Sequence, residues 1–255
     1  MIRNLFFLTS GFLLVTACFL GCAKSSDFAP QTSYTQGKSG STARFTIYGN
    51  FLYTVDGTTL TSYDITDGAK PVLRDQQHVG FEIETIYPFN NMLFIGSTSV
   101  IHIFNLSNPA KPQKLSQAVS PTAFQRCDPV IAKDSVAYAT LRMNITGCGS
   151  SRTSSILAVY DIKDPANPVE KATLGMISPI GLDYSDTILY VTDAPGFHIL
   201  DISSPYSPVM LGKAGTGNYF EVITYGTELY AIREKATDVF SIEDLTRPTL
   251  LATIN

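Results

Sequence analysis

From residue 44 onward, short apolar runs alternate with clusters of Gly, Asn, Asp and Pro. The runs are rich in Ile, Val, Tyr, Phe and Thr. Runs of that composition, bounded by turn formers, predict β-strands. No long stretch carries a helical period. Runs such as HILDIS (198–203) are apolar on both faces instead of alternating. That pattern predicts sheets covered on both sides.

One segment recurs five times: LTSYDITDGAKPVL (60–73), IHIFNLSNPAKPQKL (101–115), LAVYDIKDPANPVE (157–170), FHILDISSPYSPVML (197–211) and TDVFSIEDLTRPTLL (237–251). Its second proline falls at Pro71, Pro112, Pro168, Pro208 and Pro248, in steps of 41, 56, 40 and 40 residues. Upstream of each copy sits a run with an aromatic residue: Tyr53, Phe94, Tyr138, Tyr190 and Tyr230. A turn precedes that run, and a third run, such as RFTIY or FEVITY, precedes the turn. A fourth short segment follows each second proline. Each copy therefore predicts four strands, and the repetition of such sheets predicts a β-propeller of about five blades. Six blades and a β-sandwich are the alternatives. A sandwich explains the short strands but not the period. The last run, 249–254, is expected to complete the first blade and close the ring.

The acidic residues of the repeat raise the question of a metal or catalytic site. The lead position varies: Asp64, Asn105, Asp161, Asp201 and Ser241. Calcium takes six to eight oxygens, and such a site would not tolerate Ser or Asn there. Asp and Asn accept bonds from amides two residues on, and Pro presets φ for a turn. The motif reads as a turn made once per blade.

The copies DISSPYSP and DIKDPANP, with Leu157-Ala158-Val159-Tyr160-Asp161 before the second, resemble the LVIVD-repeat family over roughly residues 40 to 255. The resemblance implies a propeller outside the cytoplasm and implies no activity. CDPVIA…AYATLR…C (127–148) resembles a recurrent segment of bacterial lipoproteins in that family, cysteines included. The outer copies depart from the pattern: Gly68 replaces the first Pro, and copy five reads Ser-Ile-Glu-Asp-Leu.

Composition sets the address. The chain has 255 residues, 16% of them charged, with a net charge of −4. No basic footprint for nucleic acid is visible. The N-terminus has Arg3 and then no charge until Lys24, which reads as a secretory signal. VTAC (15–18) and FLGC (19–22) both resemble a bacterial lipobox. Cys22 is preferred as the lipidated residue because a polar sequel follows it, with Cys18 as the alternative. Two or more acyl chains anchor stably. Residues 1–22 are thus expected to be a signal, 23–42 a tether and 43–255 one propeller domain. The expected location is the bacterial cell envelope, at the outer membrane or cell surface. Cys127 and Cys148 enclose twenty residues. In an oxidising compartment they are expected to form a disulfide, worth ~3 kcal/mol in the chain-entropy model. A zinc site lacks further Cys or nearby His ligands.

Propeller sites lie where innermost strands begin, and the first strand of each copy is expected to be innermost. Residues entering those strands are Arg44, Glu82, Glu84, Arg126, Asp128, Asp183 and Glu221. The candidate ligand-binding rim is Arg44, Glu84, Arg126, Asp128, Glu221 and Arg142, the last placed to contact an anion or to pair with Asp128. Glu84 with Asp128 is the candidate carboxylate pair of a glycan hydrolase. His102 and His198 share one register and read as strand residues, not ligands. AGTGN (214–218) precedes a strand, so phosphate cradling is not supported. The sequence thus favours a non-catalytic propeller binding a protein or glycan, without cofactor or metal. It is expected to be monomeric, held to the membrane by its lipid, with an exposed blade edge or the cysteine loop available for assembly. A hydrolase is the alternative.

Overall fold

The structure is a computed structural model that describes residues 40–97, 100–119, 127–142 and 155–255. The lipobox cysteines Cys18 and Cys22 lie outside the described residues. All regular structure in the described residues is β, in one six-stranded and three four-stranded sheets. The six-stranded sheet holds two repeats. β1 (Phe45–Tyr48) pairs with β2 (Phe51–Asp64), and β2 with β3 (Val72–Phe89). β2 doubles back on itself: Gly57 takes φ +51°, and the Ile65 amide bonds the Asn50 carbonyl at 2.8 Å, joining its two ends. β3 pairs with β2 from Val72 to His78 and with β4 (Met92–Ser97) from Ile83 onward. Its first half therefore closes unit 1 and its second half opens unit 2. Unit 2 continues through β4, β5 (Val100–Asn105) and β6 (Gln113–Val119).

The remaining units are single sheets. Unit 3 contains β7 (Cys127–Lys133), β8 (Val136–Leu141), β9 (Ser155–Asp161) and β10 (Val169–Met176). Unit 4 contains β11 (Pro179–Ser185), β12 (Ile188–Asp193), β13 (Phe197–Asp201) and β14 (Val209–Ala214). Unit 5 contains β15 (Glu221–Tyr225), β16 (Glu228–Arg233), β17 (Ala236–Ser241) and β18 (Thr249–Ile254). Every neighbouring pair is antiparallel, as a meander requires. First strands touch first strands, β3 against β7, β7 against β11 and β11 against β15. That is the placement of innermost strands in a propeller.

The expected ring closure is corrected. β18 pairs with β17, from Ser241↔Thr249 to Thr237↔Ile254, and its sheet ends there. The reason is local. The turn at Asp244–Arg247 returns the chain directly beside β17, leaving no residues to cross to unit 1.

The repeat motif is a turn in all five copies. The amides of Thr66, Ser107, Lys163, Ser203 and Glu243 bond the side chains of Asp64, Asn105, Asp161, Asp201 and Ser241 at 2.9, 2.5, 3.0, 2.7 and 3.4 Å. A second bond closes each turn across the first Pro position, as in Asn167 N–H to Asp164 O at 3.0 Å. Hydrogen bonds from Thr66, its hydroxyl foremost, and from the Lys163 and Ser203 amides hold the half-buried Asp64, Asp161 and Asp201 carboxyls below the usual range. The aspartates are spent on architecture.

Burial on both faces explains the continuous apolar runs. Odd and even residues of one strand join different cores. Phe94 packs toward unit 3 with Val130 and Ala158, while Leu93 and Ile95 pack toward unit 1 with Tyr53 and Leu60. Ile131, Tyr138 and Val159 meet Leu189 and Leu200 of unit 4. Tyr190 and Phe197 meet Tyr219, Leu229 and Phe240 of unit 5. Each such side chain contributes about 1.5–3 kcal/mol when fully buried. Three tyrosines add a bond across the junction. The hydroxyls of Tyr53, Tyr138 and Tyr190 donate to the carbonyls of Pro109, Pro205 and Leu245 in the next unit, at 2.8, 3.0 and 2.8 Å. Burial pushes all three phenols up, so they remain protonated donors.

Candidate functional site

The mouth of the propeller, where the innermost strands begin, is organised around Glu221. Glu221 opens β15 and is buried at 2% exposure. Its Oε2 accepts the Thr42 amide at 2.6 Å and the Thr42 hydroxyl at 2.7 Å. Its Oε1 accepts the Ser41 hydroxyl at 2.9 Å and the Val222 amide at 3.0 Å. Ser41 Oγ in turn accepts the Leu182 amide at 2.9 Å, and the Ala43 carbonyl accepts the Ile86 amide at 2.9 Å. Residues 40–43 thus run across the mouth, tied to units 2, 4 and 5.

Two glycines make room for this clasp. A Cβ on Gly40 would stand 2.4 Å from Glu221 Oε2. A Cβ on Gly181 would stand 2.5 Å from Oε1 and 2.6 Å from the Glu221 Cα. Burial pushes the Glu221 carboxyl up to about 7, against the four donors that favour its charged form.

Neighbouring carboxylates are also engaged. Asp193 is buried and accepts the amides of Ile177 and Ser178 at 3.1 and 2.6 Å, with His198 Nε2 at 3.0 Å. Asp183 lies inside β11, not at its entrance, and accepts the Thr224 amide and hydroxyl at 2.7 and 2.9 Å. Asp238 holds Tyr219, Thr253 and Arg233 at 2.6, 2.7 and 3.2 Å. Burial alone would raise Asp238, but those three partners outweigh it and hold the carboxyl below its usual range.

The expected rim residues divide. Arg44 is exposed, while Glu84 and Arg142 are half-buried. Glu221, expected on an open rim, is instead buried under Ser41 and Thr42. Arg126 and Cys148 lie outside the described residues, as do the side chains of Cys127 and Asp128. The expected disulfide and the expected Glu84–Asp128 pair therefore fall outside them too. His102 and His198 stand in β5 and β13, as strand residues of units 2 and 4. No group of three His, Cys, Asp or Glu able to hold a metal occurs among the described residues. Sequence reading missed Ser41 and Thr42, whose role depends on contacts far along the chain. It also missed an apolar face on unit 5. Ile223, Tyr225, Tyr230, Ile232, Thr237 and Ile254 line an open cavity of about 580 Å³ there.

Four-stranded meanders packed through their first strands define a β-propeller. The LVIVD repeat family matches residues 39–76 and 185–216, which are the first and fourth copies. The described residues form a β-propeller that carries LVIVD repeats at those two places. No curated protein matches it. Among solved structures it is similar to a protein from Lactobacillus plantarum, with TM-score 0.66 and 10% identity over 80% of this chain and 68% of that one. It is similar to a functionally unknown protein from Desulfotomaculum acetoxidans, with TM-score 0.63 and 12% identity over 80% of this chain and 65% of that one. A periplasmic gluconolactonase of Pseudomonas aeruginosa gives TM-score 0.63 and 10% identity over 81% and 67%. The chain thus spans 65–68% of the length of these three proteins. At such identities the likeness is one of fold.

Proposed function

We propose that the protein is a lipid-anchored, non-catalytic propeller of the bacterial cell envelope that binds an envelope protein or a glycan. One observation carries this reading. The buried carboxylates Glu221, Asp183, Asp193 and Asp238 are each engaged by backbone amides or side-chain donors. A glycosidase needs two carboxyl groups facing its substrate. Here residues 40–43 cover the carboxylate best placed for that work. The charged side chains expected at the rim, Arg44, Glu84 and Arg142, suit polar recognition. The tail before residue 40 suits a lipid anchor on Cys22, or on Cys18. The reading requires no cofactor.

The test uses the intact chain cross-linked in its membrane. Two variants serve as comparisons: a Cys18→Ser/Cys22→Ser chain without lipid and an Arg44→Glu/Arg142→Glu chain. A partner enriched with the intact chain and lost with both variants is the expected result. A partner retained by the charge-reversed chain removes the mouth from binding. Sugar release from an envelope glycan, abolished by Glu221→Gln, would replace the reading with a hydrolase. Mass spectrometry of the mature N-terminus identifies the lipidated cysteine.

A further inference from the structure

Five units make four junctions in this structure, and each junction has its own apolar core. Among the described residues, unit 5 and unit 1 share none. The face of unit 5 turned away from unit 4 carries Ile223, Tyr225, Tyr230, Ile232 and Ile254 around the open cavity. Tyr225 is 72% exposed and Ile254 57%. The face of unit 1 turned away from unit 2 carries Phe45 and Ile47, 58% and 39% exposed. These two faces are the register equivalents of faces that pack together at every other junction. Tyr230 corresponds to Tyr53, Tyr138 and Tyr190, whose hydroxyls reach the next unit. In unit 5 the Tyr230 hydroxyl donates instead to Glu228 beside it.

The receiving carbonyls tell the same story. Pro109, Pro205 and Leu245 accept a tyrosine hydroxyl, and Pro165 accepts Ser116 because Phe94 offers none. The matching position in unit 1 is Gly68. No hydrogen bond to its carbonyl is made among the described residues. A donor stands unmatched on unit 5 and an acceptor on unit 1.

The chain's own unit 1 does not fill the face, although Ser41 and Thr42, just before β1, already sit on Glu221 at its head. We propose that the open face of unit 5 takes unit 1 of a second copy, repeating the junction between chains. The interface sets Phe45 and Ile47 of one copy against Ile223, Ile232 and Ile254 of the other and returns the Tyr230 hydroxyl to Gly68 O. Two copies exchanging both faces form a closed pair; one exchange leaves the faces free to extend a chain. Aromatic side chains each remove roughly 150–250 Å² when buried. Made twice, the contact reaches the order of 800 Å² per partner typical of stable interfaces.

The experiment co-expresses two differently tagged full-length copies, one with Tyr225→Cys and one with Phe45→Cys, and treats membranes with a short bismaleimide. A cross-link joining the two tags, severalfold above a Tyr225→Cys/Lys111→Cys pairing, is expected. Adding Ile232→Glu should abolish it while the melting temperature shows the chain still folded. Two outcomes overturn the proposal. One is a cross-link only when both cysteines share one chain, which is closure of the ring on itself. The other is a cross-link from Tyr225→Cys to a different protein, or none.

Discussion

The carboxylate of Glu221 holds both the amide and the hydroxyl of Thr42, 179 and 179 positions apart in sequence. The bond ties the first described residues to the last blade. Its carboxyl is raised by burial, so the clasp answers to pH.

The sign follows from the two states. Glu221 titrates near 7 when folded, against a reference value of 4.5. Between those values the folded chain holds the proton more tightly, so this group's contribution is present below about 4.5 and lost as pH rises to 7. The shift corresponds to about 3 kcal/mol. A Glu221→Gln chain is neutral throughout. Its urea midpoint should gain on the wild type as pH rises from 4.5 to 7.5. A constant difference would sink the assignment.

His102 pulls the other way. Burial, aided by the charge of Lys114, pushes its imidazole down to about 4 from 6.5. The unfolded chain takes up that proton first, so stability is lost as pH falls from 6.5 to 4, again by about 3 kcal/mol. The two contributions oppose each other, and the wild-type curve should be nearly flat between pH 4.5 and 6.5. A His102→Gln chain should expose the Glu221 slope, its stability falling steadily with rising pH over that window. A flat curve for that variant would contradict both.

Gly181→Ala places a methyl 2.5 Å from Glu221 Oε1 and 2.6 Å from its Cα. Backbone cannot yield cheaply there, and a cost of about 1–3 kcal/mol is expected. Gly212→Ala meets nothing within 4 Å. It should change stability by no more than about 0.5 kcal/mol. Equal costs in thermal melts would remove the clasp as the cause.

Ser241 makes the longest of the five repeat turns, at 3.4 Å to the Glu243 amide. Asp at the same position in other copies bonds at 2.7–3.0 Å. Ser241→Asp should stabilise the chain by about 0.5–1 kcal/mol. A lower unfolding midpoint would show that carboxylates at Glu243 and Asp244 repel it.

The repeat was legible because its chemistry is local. Asp161 reaches an amide two residues on, and Pro168 ends the turn, whatever surrounds them. Strand type was legible for the same reason. Leu93 and Phe94 can both be apolar only when both faces of a sheet are covered. The fate of Glu221 was not legible. An acidic residue at a strand entrance reads as exposed unless its cover is known, and Ser41, Thr42 and Gly181 lie far away in sequence. The pairing of 249–254 was misjudged because a strand's partner is chosen by where the preceding turn delivers it.

By itself, then, the sequence determined the unit: four strands, one aromatic residue and one turn motif per copy, the turn fixed by bonds that span a few residues. Only the tertiary structure decided how the units meet. It buried Glu221 and packed four junctions, and among the described residues it left units 5 and 1 without a shared core, because those outcomes depend on side chains brought together across the whole chain.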